Sequence, residues 1–262
     1  MEYFLKIKRT AIPEIWLTYM LILLVASFPI KSLAAEYPWQ LSIGGLYSKG
    51  YDAEAGRTLE WYLLPLALKH HHQHWTVQFV STYLIADELN TEDQYSYSGK
   101  GDTQVKLTYL FNNPVFKHWW VDVSWKIKFP TADEDTELTI GTGERDYWLD
   151  IELMRVFMSG WFGHIGGGKK FRGKSAELEL LDSYYLNTSI GRRWAEHYAA
   201  GMQWEFMEAS SQSGDDVIEA MVYSSYRLSS QNSLLVYLSK GFTDSSSEYG
   251  TGLQFTHRFG RL

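Results

Sequence analysis

The sequence predicts an all-β protein: a transmembrane, antiparallel, up-and-down β-barrel of about twelve strands behind an N-terminal secretory leader. Three observations carry this. The first thirty-odd residues have the build of a cleavable signal peptide. The remainder alternates apolar and polar residues at period two. The connections between alternating segments are long and short by turns.

The leader begins with Lys6, Lys8 and Arg9. A mostly apolar run follows over residues 15–30, including Trp16, Leu17, Met20, Leu21, Ile22, Leu23, Leu24 and Val25. Ser32-Leu33-Ala34 then puts small residues at the two positions a signal peptidase reads. The run is short for a permanent anchor and contains Pro29. Cleavage is expected after Ala34, with Ala35 the second choice, and no cysteine stands at the cut to take a lipid. The chain thus divides into a signal peptide (1–34) and one barrel domain (35–262).

Composition narrows the class further. The chain has no cysteine, so no disulfide framework or thiolate zinc site is available. Its mean hydropathy of -0.26 excludes a bundle of several membrane helices. Four of the 24 Lys/Arg and two of the 31 Asp/Glu lie in residues 1–34, which leaves a formal charge of -9 on the remainder. An acidic chain without a basic block is a poor nucleic-acid binder, so no nucleic-acid partner is expected. The 11 Trp, 18 Tyr and 13 Phe suit the two aromatic girdles of a membrane barrel.

The predicted strands, in order, are 39–48, 57–68, 75–85, 102–111, 119–129, 147–157, 161–171, 182–191, 198–208, 217–228, 233–240 and 249–259. Most are close to the ten or so residues that a tilted strand needs to cross the hydrocarbon layer. The fourth sets Val105, Leu107, Tyr109 and Phe111 against Gln104, Lys106 and Thr108. The fifth is the clearest: Trp119, Val121, Val123, Trp125, Ile127 and Phe129 share one face, and Asp122, Ser124, Lys126 and Lys128 share the other. The sixth sets Tyr147, Leu149, Ile151 and Leu153 against Asp150 and Glu152, with Trp148 an exception on the polar face. The last carries Tyr249, Leu253, Phe255 and Phe259 on one face, similar to the aromatic C-terminal signal read by barrel-assembly machinery, although Gly260-Arg261-Leu262 follows.

The links alternate. Residues 49–56, 86–101 and 130–146 are long, and 69–74, 112–118 and 158–160 are short. The later links repeat the rule less strongly. Short turns on one side of the membrane and longer loops on the other are the habit of outer-membrane barrels. An even strand number, with both termini on the short-turn side, follows.

A twelve-stranded barrel is too wide for its apolar faces to fill. Those faces are therefore assigned to lipid, with Trp39, Trp61, Trp75, Trp119, Tyr147, Trp161, Tyr198 and Tyr249 near the two interfaces. The polar faces go to the lumen. Its expected lining is basic at Lys106, Lys126, Lys128, Lys170, Arg227 and Arg258, and acidic at Glu60, Asp122, Asp150, Glu152, Glu205 and Glu219. The hairpin of the fifth and sixth strands should bring Lys126 and Lys128 to Asp150 and Glu152. Such a lining serves either as a polar constriction or as a salt-bridged, mostly closed interior.

Other motifs say less. His70-His71-His72-Gln73-His74 has metal-ligating side chains but lies in a predicted turn with no carboxylate nearby in sequence, so a solvated turn is preferred to a metal site. Gly166-Gly167-Gly168-Lys169-Lys170 lacks the spacing of a phosphate loop and sits in a strand. Asn187-Thr188-Ser189 matches a glycosylation acceptor without consequence in a bacterial strand. No histidine is followed two residues later by serine, as in phospholipase barrels; His164 has Gly166 there. No catalytic residue, metal or cofactor is assigned.

Gly101-Asp102-Thr103, Lys128-Phe129-Pro130-Thr131-Ala132-Asp133, and Gly141-Thr142-Gly143 leading to Asp146-Tyr147 resemble, in order and spacing, the outer-membrane barrel family named for the meta-pathway of phenol degradation. The resemblance covers roughly residues 101–259. It implies a barrel and the passage of small compounds, apolar or aromatic ones among them, and carries over no site residues. The expected protein is a monomeric outer-membrane channel or uptake barrel for a small-molecule solute. Its other partners would be outer-membrane lipid and the barrel-assembly machinery. A lipid-modifying enzyme and a structural barrel without transport are the alternatives.

Overall fold

The computed structural model describes residues 37–52, 57–89, 96–111, 119–132, 143–174, 180–195, 197–212 and 214–260. The expected leader, residues 1–34, and its expected cleavage site lie outside them. Among the described residues no helix is long and apolar enough to cross a membrane. The architecture is one antiparallel sheet: β1 (Trp39–Asp52), β2 (Arg57–His72), β3 (Trp75–Leu89), β4 (Ser96–Lys100), β5 (Thr103–Phe111), β6 (Trp119–Phe129), β7 (Asp146–Val156), β8 (Trp161–Phe171), β9 (Ser183–Trp194), β10 (Tyr198–Met207), β11 (Val217–Arg227), β12 (Asn232–Gly241) and β13 (Tyr249–Phe259). Each strand pairs with its sequence neighbour, β1 pairs with both β2 and β13, and β2 pairs with β3, so the sheet closes on itself. Closure leaves no open edge of unpaired backbone, which a membrane demands.

The segments β4 and β5 both pair with β3 and occupy one position in the wall, so the barrel is twelve-stranded. The register sets Tyr83 opposite Lys100 on one side of the break and Val80 opposite Gln104 on the other. One extra residue is therefore inserted at Gly101-Asp102, a β-bulge. The Gly101 N–H still donates to the Thr82 carbonyl at 2.8 Å. The bulge reverses facing parity: Gly99 is buried before it, and Gln104 and Lys106 after it. The predicted opening of a strand at Gly101-Asp102-Thr103 is thus a kink within one.

Strands β1, β2 and β3 run past their predicted ends, to Asp52, His72 and Leu89. The first link shrinks to residues 53–56, and β4 takes up part of the third. Pairing continues there, with Thr58 opposite Leu89 and Asp52 opposite Arg57. The turns at the other end stay short. Gln73, Ser159 and Ala195 each take a left-handed conformation there (φ 53°, 68° and 56°), reversing the chain in a few residues. Trp39 pairs with Phe259, so the first and last strands meet at this short-turn end.

The outer surface is apolar. Ile43, Leu64, Phe79, Trp125, Leu149, Ile151, Ile165, Leu186, Val222, Val236 and Leu253 are exposed. A soluble barrel would lose stability by hydrating such a continuous belt. Rings border it at both ends. Trp39, Trp75, Trp119, Trp161, Trp194 and Tyr198 ring the short-turn end, and Tyr62, Tyr83, Tyr147, Phe171, Tyr184 and Tyr249 ring the loop end. This is the surface of a membrane-spanning barrel.

Candidate functional site: a lumen with an ionic wall and an apolar wall

The inner faces of β5 to β8 carry charge because their even-numbered residues turn inward. Lys106 Nζ lies 3.4 Å from Asp150 Oδ2 and 3.3 Å from Glu152 Oε1. Lys128 Nζ lies 3.3 Å from Asp102 Oδ2 and 3.1 Å from Asp146 Oδ2. Lys170 Nζ approaches the same Asp146 oxygen at 3.7 Å. Lys126 Nζ stands 3.4 Å above the Trp148 ring, and Lys170 Nζ stands 5.0 Å from it. The expected ion pairing across β6 and β7 is present as Lys128 with Asp146, beside the expected carboxylate pair of Asp150 and Glu152. Lys106, one strand further, takes that carboxylate pair. Direct register opposes Lys126 to Trp148 and Lys128 to Asp146. Trp148 is no exception on the polar face; its ring carries a cation there.

Asp102 and Asp146 were missed in the sequence because each borders a loop rather than lying within an alternating run. Asp102 Oδ1 accepts from the N–H of Thr131 at 3.1 Å and of Ala132 at 3.2 Å. Thr131 Oγ1 accepts from the Thr103 N–H at 2.9 Å. Asp146 Oδ1 accepts from the Gly173 N–H at 3.1 Å. The described residues Asp102, Lys128, Thr131, Ala132 and Asp146, drawn from the three stretches that carried the family resemblance, thus meet at one place, with Lys128 between two carboxylates.

The opposite wall is apolar. Leu46, Leu59, Trp61, Leu63, Leu84 and Ala86 from β1 to β3 pack with Met221, Tyr223, Leu235 and Tyr237 from β11 and β12, and with Phe162 from β8. Two sequence expectations fail here. Trp61, placed in a girdle, points inward and is 1% exposed. Glu60, placed in the lumen, lies on the outer face with Tyr62, Leu64 and Leu66, and its Oε1 is 3.3 Å from Lys49 Nζ. The run from Trp61 to Leu68 is apolar on both faces, so period two alone did not decide which face turned in.

Asp122, Arg227 and Arg258 lie on the inner face near the short-turn end and are half-buried; Glu205 and Glu219 are buried on β10 and β11. Half-buried Trp120, Met154 and His164 accompany the first group. Among the described residues, this group is less buried than Glu205 and Glu219, which lie nearer the loops. There Ser246 and Ser247 are buried, and the Ser247 N–H donates to Glu219 Oε1 at 3.0 Å. His164 Nε2 is 3.8 Å from Glu152 Oε2, and Ser189 stands opposite His164. The Ser189 hydroxyl makes no hydrogen bond, so the trio stops short of a charge-relay geometry. Among the described residues no cluster of three or more His, Asp or Glu is placed to hold a metal.

No family profile and no curated protein matches the sequence. Solved structures do. An outer membrane channel from Pseudomonas putida F1 superposes with a TM-score of 0.72 at 13% identity, covering 86% of this chain and 96% of that one. The fold is that of outer-membrane barrels. The beta domain of the Bordetella autotransporter BrkA gives 0.58 at 10% identity, covering 85% and 100%. The CymD monoaromatic hydrocarbon channel gives 0.53 at 9% identity, covering 90% and 92%. At these identities the likeness is one of fold.

Proposed function

We propose that this protein is an outer-membrane channel for the uptake of small molecules, apolar and aromatic ones included, and that it is exported as a monomer with residues 1–34 removed. The observation that carries the reading is the divided interior. Salt bridges alone would hold a structural barrel closed, and need no apolar wall. Leu59, Trp61, Leu63 and Leu84 pack together on the inner face of a barrel whose outer face is already apolar, and would give an organic solute a surface to wet once it parts that packing. The fold likeness to two channels supports the reading, as does the resemblance to the phenol meta-pathway barrels.

Planar-bilayer recording of the purified barrel tests it. Conductance with weak discrimination between small cations and anions is expected, because both signs line the inner faces of β5 to β8. Absence of conductance, together with unimpaired solute uptake after deletion, sinks the reading. The tight burial of Lys126 and Trp61, 2% and 1% exposed, favours a second reading, a closed structural barrel. That outcome would establish it.

A further inference from the structure

The inner wall of β8 to β11 holds polar groups that the ionic wall does not use. Register places Asn187 opposite both Gly166 and Glu205, with Glu205 in turn opposite Glu219. One row nearer the short turns, Ser189 stands opposite Gln203. Asn187, Ser189, Gln203 and Glu205 are 4%, 6%, 2% and 6% exposed. Yet Asn187 Oδ1, Ser189 Oγ, Gln203 Oε1 and Glu205 Oε1 have no hydrogen-bond partner. Buried acceptors without donors are rare because each forfeits its hydration. Four unpartnered oxygens on neighbouring strands, facing one interior beside the unpartnered Tyr223 hydroxyl, can take hydrogen bonds from a guest.

The surroundings shape the set into a site. Glycine makes room for it: a Cβ at Gly166 would lie 2.9 Å from Asn187 Oδ1 and 3.1 Å from the Glu152 side chain. Apolar residues close the two ends along the strands. Met207 and Val217 pack with Tyr185 on the loop side, and Phe162 and Tyr223 belong to the apolar wall on the short-turn side.

We propose that Asn187, Ser189, Gln203 and Glu205 form a hydrogen-bond-accepting station that takes a small organic solute through a hydroxyl or protonated amine while its apolar body rests on the neighbouring wall. This deepens the channel reading, on which it rests for the solute's path into the lumen. The unpartnered oxygens favour a donor head, and the adjacent carboxylates repel a carboxylate head.

The test is calorimetric titration of the full barrel in detergent with three probes on one skeleton: benzylammonium, benzyl alcohol and benzoate. Benzylammonium and benzyl alcohol should bind, and benzoate should bind most weakly. Gln203→Leu should weaken both binders by roughly tenfold, the loss of about one buried hydrogen bond. Glu205→Gln should weaken benzylammonium more than benzyl alcohol, which separates the two heads. Ser189→Ala serves as the third variant where another fails to give the compact unheated gel band. Equal binding of all three probes, or folded variants that bind as the parent does, overturns the station. A barrel that binds the donors but never conducts overturns the channel reading alone; one that conducts without binding them overturns the station alone.

Discussion

Lys126 Nζ lies 3.4 Å above the ring of Trp148, its cross-strand partner, inside the barrel. Both side chains are almost wholly buried, so the ring face takes part of the ammonium's lost hydration. Trp148→Leu should therefore destabilise the barrel by about 2 kcal/mol, and Trp148→Phe by less, because a phenyl face still binds a cation. Urea unfolding in lipid vesicles, followed by the unheated gel band, measures both. Equal losses would show that ring volume rather than the ring face matters.

Lys128 holds together two carboxylates that come from distant loops, Asp102 and Asp146. Lys128→Met leaves both without that cation and should cost about 3–5 kcal/mol. Adding Asp102→Asn to that variant should recover part of the loss. A double variant no more stable than the single would mean that the two side chains do not interact across the bulge.

Ile151 faces outward at mid-strand and is 54% exposed. Ile151→Arg should cost about 2–4 kcal/mol, and Tyr249→Arg, near the loop-side girdle, about 0–1 kcal/mol. The difference reads depth in hydrocarbon directly. Similar costs at the two sites would place the membrane elsewhere on the barrel.

Asp182 closes the loop after β8. Its Oδ1 accepts from the Arg172 N–H at 3.1 Å, and its Oδ2 lies 3.2 Å from Lys169 Nζ. The backbone hydrogen bond, followed by the Lys169 ammonium, holds this carboxyl below its ordinary value of 3.8. A depressed carboxyl stabilises the folded loop above its ordinary value and loses that contribution as pH falls through the depressed one. Carbon-detected NMR titration should show Asp182 protonating later than a free aspartate. Asp182→Asn should remove the acid sensitivity of this loop, measured by amide exchange at Arg172. An ordinary titration midpoint would mean that the clip is open in solution.

What the sequence by itself determined was the wall. Period two in segments such as Trp119–Phe129 set strand type and spacing, and the link lengths set the number of crossings. On β6 and β7 one face is charged, so the sequence also told inside from outside, and Lys126, Lys128, Asp150 and Glu152 turn inward as a set. Tertiary structure decided the rest. In β2 both faces are apolar, so only pairing with β1 and β3 fixed Trp61 inward and Glu60 outward. At Gly101-Asp102 one extra residue reversed the parity, which no periodicity reports. Asp102 sits 44 residues from Asp146 in the chain and close to it in space because the bulge and the registers of β5, β6 and β7 set both beside Lys128. Alternation is a local property of the backbone, legible residue by residue. Which side chains share a row depends on strand stagger, which the whole closed sheet sets at once.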